Sequence, residues 1–267
     1  MFFLDKIVIG KDIYQILLER FYCFFTKFSL YLQSNKKQTM AQFGINERFE
    51  FLKNLTNMVI CEISPSLVIT GEGGLGKTYS VLETIGESFL EKSQWVQFKG
   101  FSTARGLYNT LFDNNGKLIV FDDCDSILED KVALNILKSA LDSYETRTIS
   151  WMSKMNKSDE YPNQFNFTGR IIFISNKSKS SIDQAILSRS LTVDLSMNLE
   201  EKIERMSHIL KDILPQFPIE VKTEALNFLK DQKDNKNITI RSLITVSKLR
   251  NTFQQDWKNM ATYMINS

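Results

Sequence analysis

With 267 residues, 43% of them hydrophobic and 24% charged, the chain is long enough to bury a core without disulfides or metals, as one generous domain or two small ones. Against 31 acidic side chains stand 33 basic ones, and the net charge of +2 forces no broadly basic face, so any nucleic-acid contact must rest on a local patch. Cys23, Cys61 and Cys124 are scattered, odd in number and without a CxxC pair, which excludes a disulfide framework or zinc site and fits a reducing, cytoplasmic setting; the lone His208 reads as a solvated helix position.

Residues 12–32 are crowded with large apolar side chains but interrupted by Glu19, Arg20 and Lys27, so they form no clean membrane span and carry no small-residue cleavage site. Three readings stay open: an amphipathic helix packed on the body or a partner, a true translation start at Met40 that leaves residues 1–39 out of the product, and membrane contact, against which the three charges weigh.

From residue 44 the pattern is regular. Asn46 to Asn57 reads as a helix with Phe49, Phe51, Leu52 and Leu55 as its apolar positions. Short apolar runs follow at Leu67–Ile69, Trp95–Phe98, Leu118–Phe121 and Ile171–Ile174, with a fifth, alternating run at Leu191–Leu195. Helical stretches lie between them at Ser80–Lys92, Thr103–Phe112 and Lys131–Tyr144. Apolar strands separated by helices predict a doubly wound α/β fold, a parallel sheet covered on both faces that binds ligands at the carboxyl ends of its strands, where the polar groups below are expected to fall. After Leu195, helices are expected over 199–214, 219–231 and 239–263, separated by Pro215, Pro218 and a polar linker. The chain thus divides into an extension at 1–39, an α/β core at 40–198 and a small all-helical domain at 199–267.

The strongest chemical signal is Gly71-Glu72-Gly73-Gly74-Leu75-Gly76-Lys77-Thr78, a GxxxxGK[ST] loop between an apolar strand and a helix, with Tyr79 next in the expected ATP-binding set. Glycines let backbone N–H groups wrap phosphates, and the helix N-terminus favours their charge. Lys77 adds a positive charge at the outer phosphates, and the Thr78 hydroxyl suits a Mg²⁺ ligand. Leu118-Ile119-Val120-Phe121 then ends in Asp122 and Asp123: the first is placed to serve the cation, the second to act as general base on the attacking water. Ile171 to Ile174 leads through Ser175 to Asn176, which could hold that water or the γ-phosphate. Arg189, in Ser188-Arg189-Ser190, suits an arginine that reaches a neighbour's nucleotide, and Arg241 one that closes a helical lid over the phosphates; both also fit ordinary surface or structural arginines.

Taken together, residues 44–250 resemble an AAA+ ATPase. Gly71–Thr78 matches the Walker A motif, Leu118–Asp125 (LIVFDDCD) the Walker B motif, Asn176 sensor 1, Ser188-Arg189-Ser190 the arginine-finger box and Ile240-Arg241-Ser242 sensor 2. The resemblance implies a strand order of five-one-four-three-two, Mg-dependent ATP hydrolysis and a homo-oligomeric ring, often a hexamer, with ATP at subunit interfaces. The style of the chain is similar to AAA+ proteins encoded by large DNA phages, which makes DNA or a DNA-processing protein a candidate partner. Asp123 departs from the pattern by replacing the usual glutamate, as in superfamily III helicases, and no aromatic-apolar-Gly pore loop follows the second strand.

Residues 147–170 suggest a β-hairpin whose Lys154 and Lys157, beside Phe165 and Phe167, could grip a nucleic-acid strand; the plainer reading has those rings packed on the body. The leading function is a ring motor or remodeller. The alternatives are a nucleotide-gated assembly module with little turnover, which Asp123 permits, a superfamily III-like helicase, and a small-molecule kinase, which the Asp-Asp and Asn strand ends fit less well.

Overall fold

The five apolar runs become the five strands of one parallel sheet. The computed structural model describes residues 43–142, 144, 146–151, 161–232, 238–253 and 255–266. The expected N-terminal extension, Cys23, Lys154 and Lys157 lie outside the described residues. The strands are β1 (Ser66–Thr70), β2 (Trp95–Lys99), β3 (Leu118–Asp122), β6 (Arg170–Ile174) and β7 (Leu191–Asp194), with a short hairpin, β4 (Thr148–Ser150) and β5 (Gln164–Asn166), before β6. The sheet order is β2-β3-β6-β1-β7, every pair parallel, which is the five-one-four-three-two order expected from the resemblance. β1, β3 and β6 are buried along their whole length, as central strands covered on both faces must be.

Alternate residues of each strand feed opposite layers. Leu67, Ile69, Leu118, Val120, Ile172 and Ile174 pack with helices α1 (Ile45–Ile60) and α2 (Lys77–Gly86). Val68, Ile119, Phe121, Ile171 and Phe173 face α3 (Ala104–Asp113), the short α4 (Ser126–Glu129), α5 (Lys131–Ala140) and the short α6 (Gln184–Leu187). The buried stripe of α1 is Ile45, Phe49, Leu52, Thr56, Val59 and Ile60; Phe51, expected among its core positions, is only half-buried because it falls one step off that stripe.

Helix ends differ from expectation for local reasons. α2 starts at Lys77, straight out of the glycine-rich loop, and ends at Gly86, so the expected span to Lys92 is cut short. α5 begins where the Asp130 side chain accepts from the Val132 and Ala133 N–H groups, but it stops at Ala140, short of Tyr144. The stretch expected as one helix over 239–263 is two, α9 (Ile240–Thr252) and α10 (Trp257–Asn266), broken at an extended Phe253. The break lets Trp257 turn onto Phe228, ring centroids 5.4 Å apart, and bury itself with Ala261.

The hairpin forms, but its rings are spent on the core. Phe167 is buried, and Phe165 stands edge-on to Tyr108 and Phe112 at 5.3 and 5.2 Å. These two rings are therefore not free to stack on bases, which corrects that part of the nucleic-acid reading.

Helices α7 (Leu199–His208), α8 (Ile219–Asp231), α9 and α10 enclose a third apolar cluster around Met206, Leu226, Leu229, Leu243 and Trp257. Their seam with the sheet body includes many polar contacts. Arg48 pairs with Glu201 and donates to the Ser196 carbonyl at 2.8 Å. Asn46 joins Glu204 and Arg205 at 3.0 and 3.1 Å, and Lys202 reaches Glu72 at 2.7 Å.

Candidate functional site

The loop from Gly71 to Gly76 leaves β1 and feeds directly into α2. Gly71, Gly74 and Gly76 have φ of 133°, 77° and 87°, a region that side chains disfavour. A Cβ on Gly71 would stand 2.9 Å from the Leu195 carbonyl carbon, so glycine is also required for space.

Lys77, the first residue of α2, is 4% exposed. Its ammonium donates to the Gly71 and Glu72 carbonyls at 2.5 and 2.6 Å and to the Asn176 amide oxygen at 3.0 Å. Burial pushes its pKa down to about 8, against the opposing pull of Asp123, Asp125 and Asp122. Next to it, the Thr78 hydroxyl donates to Asp122 Oδ1 at 2.7 Å. The other oxygen of this buried carboxylate accepts from the Gln97 amide at 3.0 Å and sits 3.0 Å from the Lys99 ammonium.

Asp123 follows β3 in the left-handed region, φ 56°, a conformation that aspartate tolerates better than most residues. Its carboxylate accepts from the Asn176 side-chain nitrogen at 2.5 Å. Asn176 thus touches Lys77 with one end of its amide and Asp123 with the other. Its own backbone is held by Asp125, which accepts from the Ser175 hydroxyl at 2.6 Å and the Asn176 N–H at 3.3 Å. Sequence reasoning assigned nothing to Asp125, Gln97 or Lys99; the last Asp of DDCD was the available signal for the first of these.

Over the loop sits the first turn of α9. The Ile240 N–H donates to the Gly74 carbonyl at 3.2 Å, and a Cβ on Gly74 would meet Thr239 at 3.3 Å and the Arg241 stem at 3.5 Å. A cavity of about 730 Å³ opens between the loop, α1 and the C-terminal helices, and Arg241, Tyr79, Asp123 and Asn176 line it. Its far wall is Arg205, whose guanidinium lies 3.8 Å over the Phe49 ring, and it includes the exposed His208. Arg205 was missed because its partner lies far away in the sequence.

Arg189 does not join the other groups. Ser66, which opens β1, donates to the Arg189 carbonyl at 3.4 Å and to the Ser190 hydroxyl at 2.9 Å, whereas the loop follows Thr70 at the other end of that strand. Arg189 therefore stands at the amino ends of the strands, which corrects its expected placement at the carboxyl ends. Its guanidinium donates to the Ala185 carbonyl at 3.0 Å, and its Nε is buried without a partner among the described residues.

No protein-family model matches the chain. It is 28% identical over 241 residues to a 36.7 kDa protein of Enterobacteria phage T4, encoded in the nrdC–mobD intergenic region and itself without an assigned function; the match covers 82% of this chain and 73% of that one. Among solved structures, a mutant of Thermotoga maritima RuvB superposes with a TM-score of 0.53 at 11% identity, over 83% of this chain and 69% of the other. The fold is that of an AAA+ P-loop NTPase. In this AAA+ fold the glycine-rich loop and the carboxyl ends of β3 and β6 converge, and Lys77, Asp122, Asp123 and Asn176 occupy that convergence. Among the described residues, no helix is long and apolar enough to cross a membrane.

Proposed function

We propose that this chain binds ATP with Mg²⁺ and hydrolyses it as an AAA+ motor or remodeller that works as a homo-oligomeric ring. The observation that carries the reading is Asn176 bridging Lys77 and Asp123 beside the Thr78–Asp122 pair. The site suits the ligand: a glycine loop closed to side chains, a buried ammonium and a cavity of about 730 Å³. Gly71 to Tyr79 would hold the nucleotide, and Thr78 and Asp122 the cation. Bound Mg²⁺ supplies charge neutralisation at the phosphates.

In this reading Asp123 takes the proton of the attacking water, Asn176 orients that water, and Arg241 closes over the phosphates from the helical domain at 199–267. The α/β core is 40–198, and residues 1–39 are an extension. Arg189, at the opposite end of the strands from its own loop, would serve the nucleotide of a neighbouring subunit. The phage T4 relative, itself without an assigned function, fits a phage setting and hence the host cytoplasm; our reading adds DNA or a DNA-processing protein as the partner on which the motor acts.

A nucleotide-gated assembly module with little turnover is the second reading, favoured by the short Asp123 side chain held at 2.5 Å by Asn176. Steady-state ATP hydrolysis across protein concentration, with and without single-stranded and duplex DNA, separates the two. A rate per subunit that rises with concentration and again with DNA is expected of the motor. Tight ATP binding with negligible turnover throughout would establish the module.

A further inference from the structure

Asp122 is nearly buried and is approached from two sides. Thr78 donates to Oδ1 at 2.7 Å, whereas Gln97 and Lys99 both hold Oδ2 at 3.0 Å. Gln97 and Lys99 are two apart on β2 and share a face, and Lys99 pairs in register with Asp122. Lys77, the other nearby ammonium, is committed to two loop carbonyls and Asn176. Lys99 is therefore the cation paired with this carboxylate, and it arrives from solvent, its side chain 60% exposed against 3% for Asp122.

We propose that Lys99 is a resident counter-ion of Asp122 that competes electrostatically with Mg²⁺, and so sets the Mg²⁺ concentration at which the protein binds nucleotide. This rests on the reading that the loop binds a Mg-nucleotide. A carboxylate withdrawn from water at a strand end is costly without a positive partner. Lys99 supplies that partner when no cation is present. A divalent cation held with the Thr78 hydroxyl would face Oδ1 of the same carboxylate and repel the ammonium at Oδ2. Lys99 can leave at small cost, because its exposed head regains water and rotamer freedom. Gln97 is neutral and stays, so the carboxylate keeps its aim while its counter-charge changes from one ion to the other.

The test is an equilibrium one. A fluorescent adenine nucleotide is titrated with Mg²⁺ on wild type, Lys99→Met, Lys99→Gln and Lys99→Arg, each first shown folded by thermal unfolding. Both neutral variants should lower the Mg²⁺ midpoint by about two- to five-fold, the range of a half-exposed ion pair, and Lys99→Arg should keep it near wild type. If one neutral variant fails to fold, the other decides. Midpoints equal to wild type in the neutral variants would overturn the counter-ion role and leave the ATPase reading standing. An unchanged midpoint with weaker nucleotide affinity in the absence of Mg²⁺ would make Lys99 a phosphate ligand instead. Failure of the wild type to bind nucleotide at any Mg²⁺ concentration would remove both.

Discussion

The amide oxygen of Asn176 accepts from the Lys77 ammonium at 3.0 Å, tying the end of β6 to the first residue of α2. Because the same amide donates to Asp123, one side chain sets the position of a cation and of a carboxylate. Asn176→Ala should lower turnover by about 10²-fold, the scale of a lost hydrogen bond at a reacting charge, and change nucleotide affinity much less. Weaker nucleotide affinity with turnover at saturating nucleotide unchanged would show that Asn176 acts in binding alone.

Lys77 makes a pH prediction. Its pKa falls from 10.5 unfolded to about 8 folded, with burial as the main cause. Between about pH 8 and 10.5 the unfolded chain binds more protons, so the nucleotide-free protein gains stability as pH rises through that window. Below about pH 8 the full cost, roughly 3 kcal/mol, is present. Lys77→Met should therefore be more stable than wild type at neutral pH in urea unfolding, with the difference shrinking towards pH 10.5, while nucleotide binding is lost.

Gly71→Ala tests the loop as a built object. With φ at 133° and a Cβ forced to 2.9 Å from Leu195, the variant should lose about 2–3 kcal/mol in urea unfolding. A loss below about 0.5 kcal/mol would mean that the backbone there relaxes freely.

Arg189→Ala should spare nucleotide binding and cut turnover by about 10³-fold if the arginine serves a neighbour. Mixing it with Lys77→Ala should then restore some activity, because mixed interfaces pair an intact loop with an intact arginine. Absence of any rescue would argue that Arg189 is structural.

Arg170 is a stability prediction away from the chemistry. Its buried guanidinium donates to the Ile60 carbonyl at 2.8 Å, at the end of α1. Arg170→Met should cost about 1.5–3 kcal/mol and leave nucleotide affinity unchanged.

The central strands were legible because β1, β3 and β6 are covered on both faces and so read as unbroken apolar runs. The convergence of the loop, Asp122, Asp123 and Asn176 was legible because each stands at the carboxyl end of its strand. The α9–α10 break was not, since no proline or glycine marks Phe253 and only the seating of Trp257 against Phe228 explains it. Lys99 and Arg205 were missed because each meets its partner on another element, whereas the packing of Phe165 and Phe167 on the body is the plainer of the two sequence readings. The opposite end occupied by Arg189 follows from strand direction, which its position before β7 already implied.

The seam between the C-terminal helices and the sheet body carries pairs such as Arg48–Glu201, Lys202–Glu72 and Asn46–Glu204, while the apolar clusters lie to either side of it. Arg48 and Glu201 are each 18% exposed and Lys202 only 5%, so these pairs are largely sheltered from water and hold the joint by direction as well as by charge. The helices are thus set on the body by directional pairs, while each greasy interior is sealed on its own side. The Ile240 N–H on the Gly74 carbonyl ties the glycine-rich loop to the first turn of α9, so a shift of the loop is passed on to the helices.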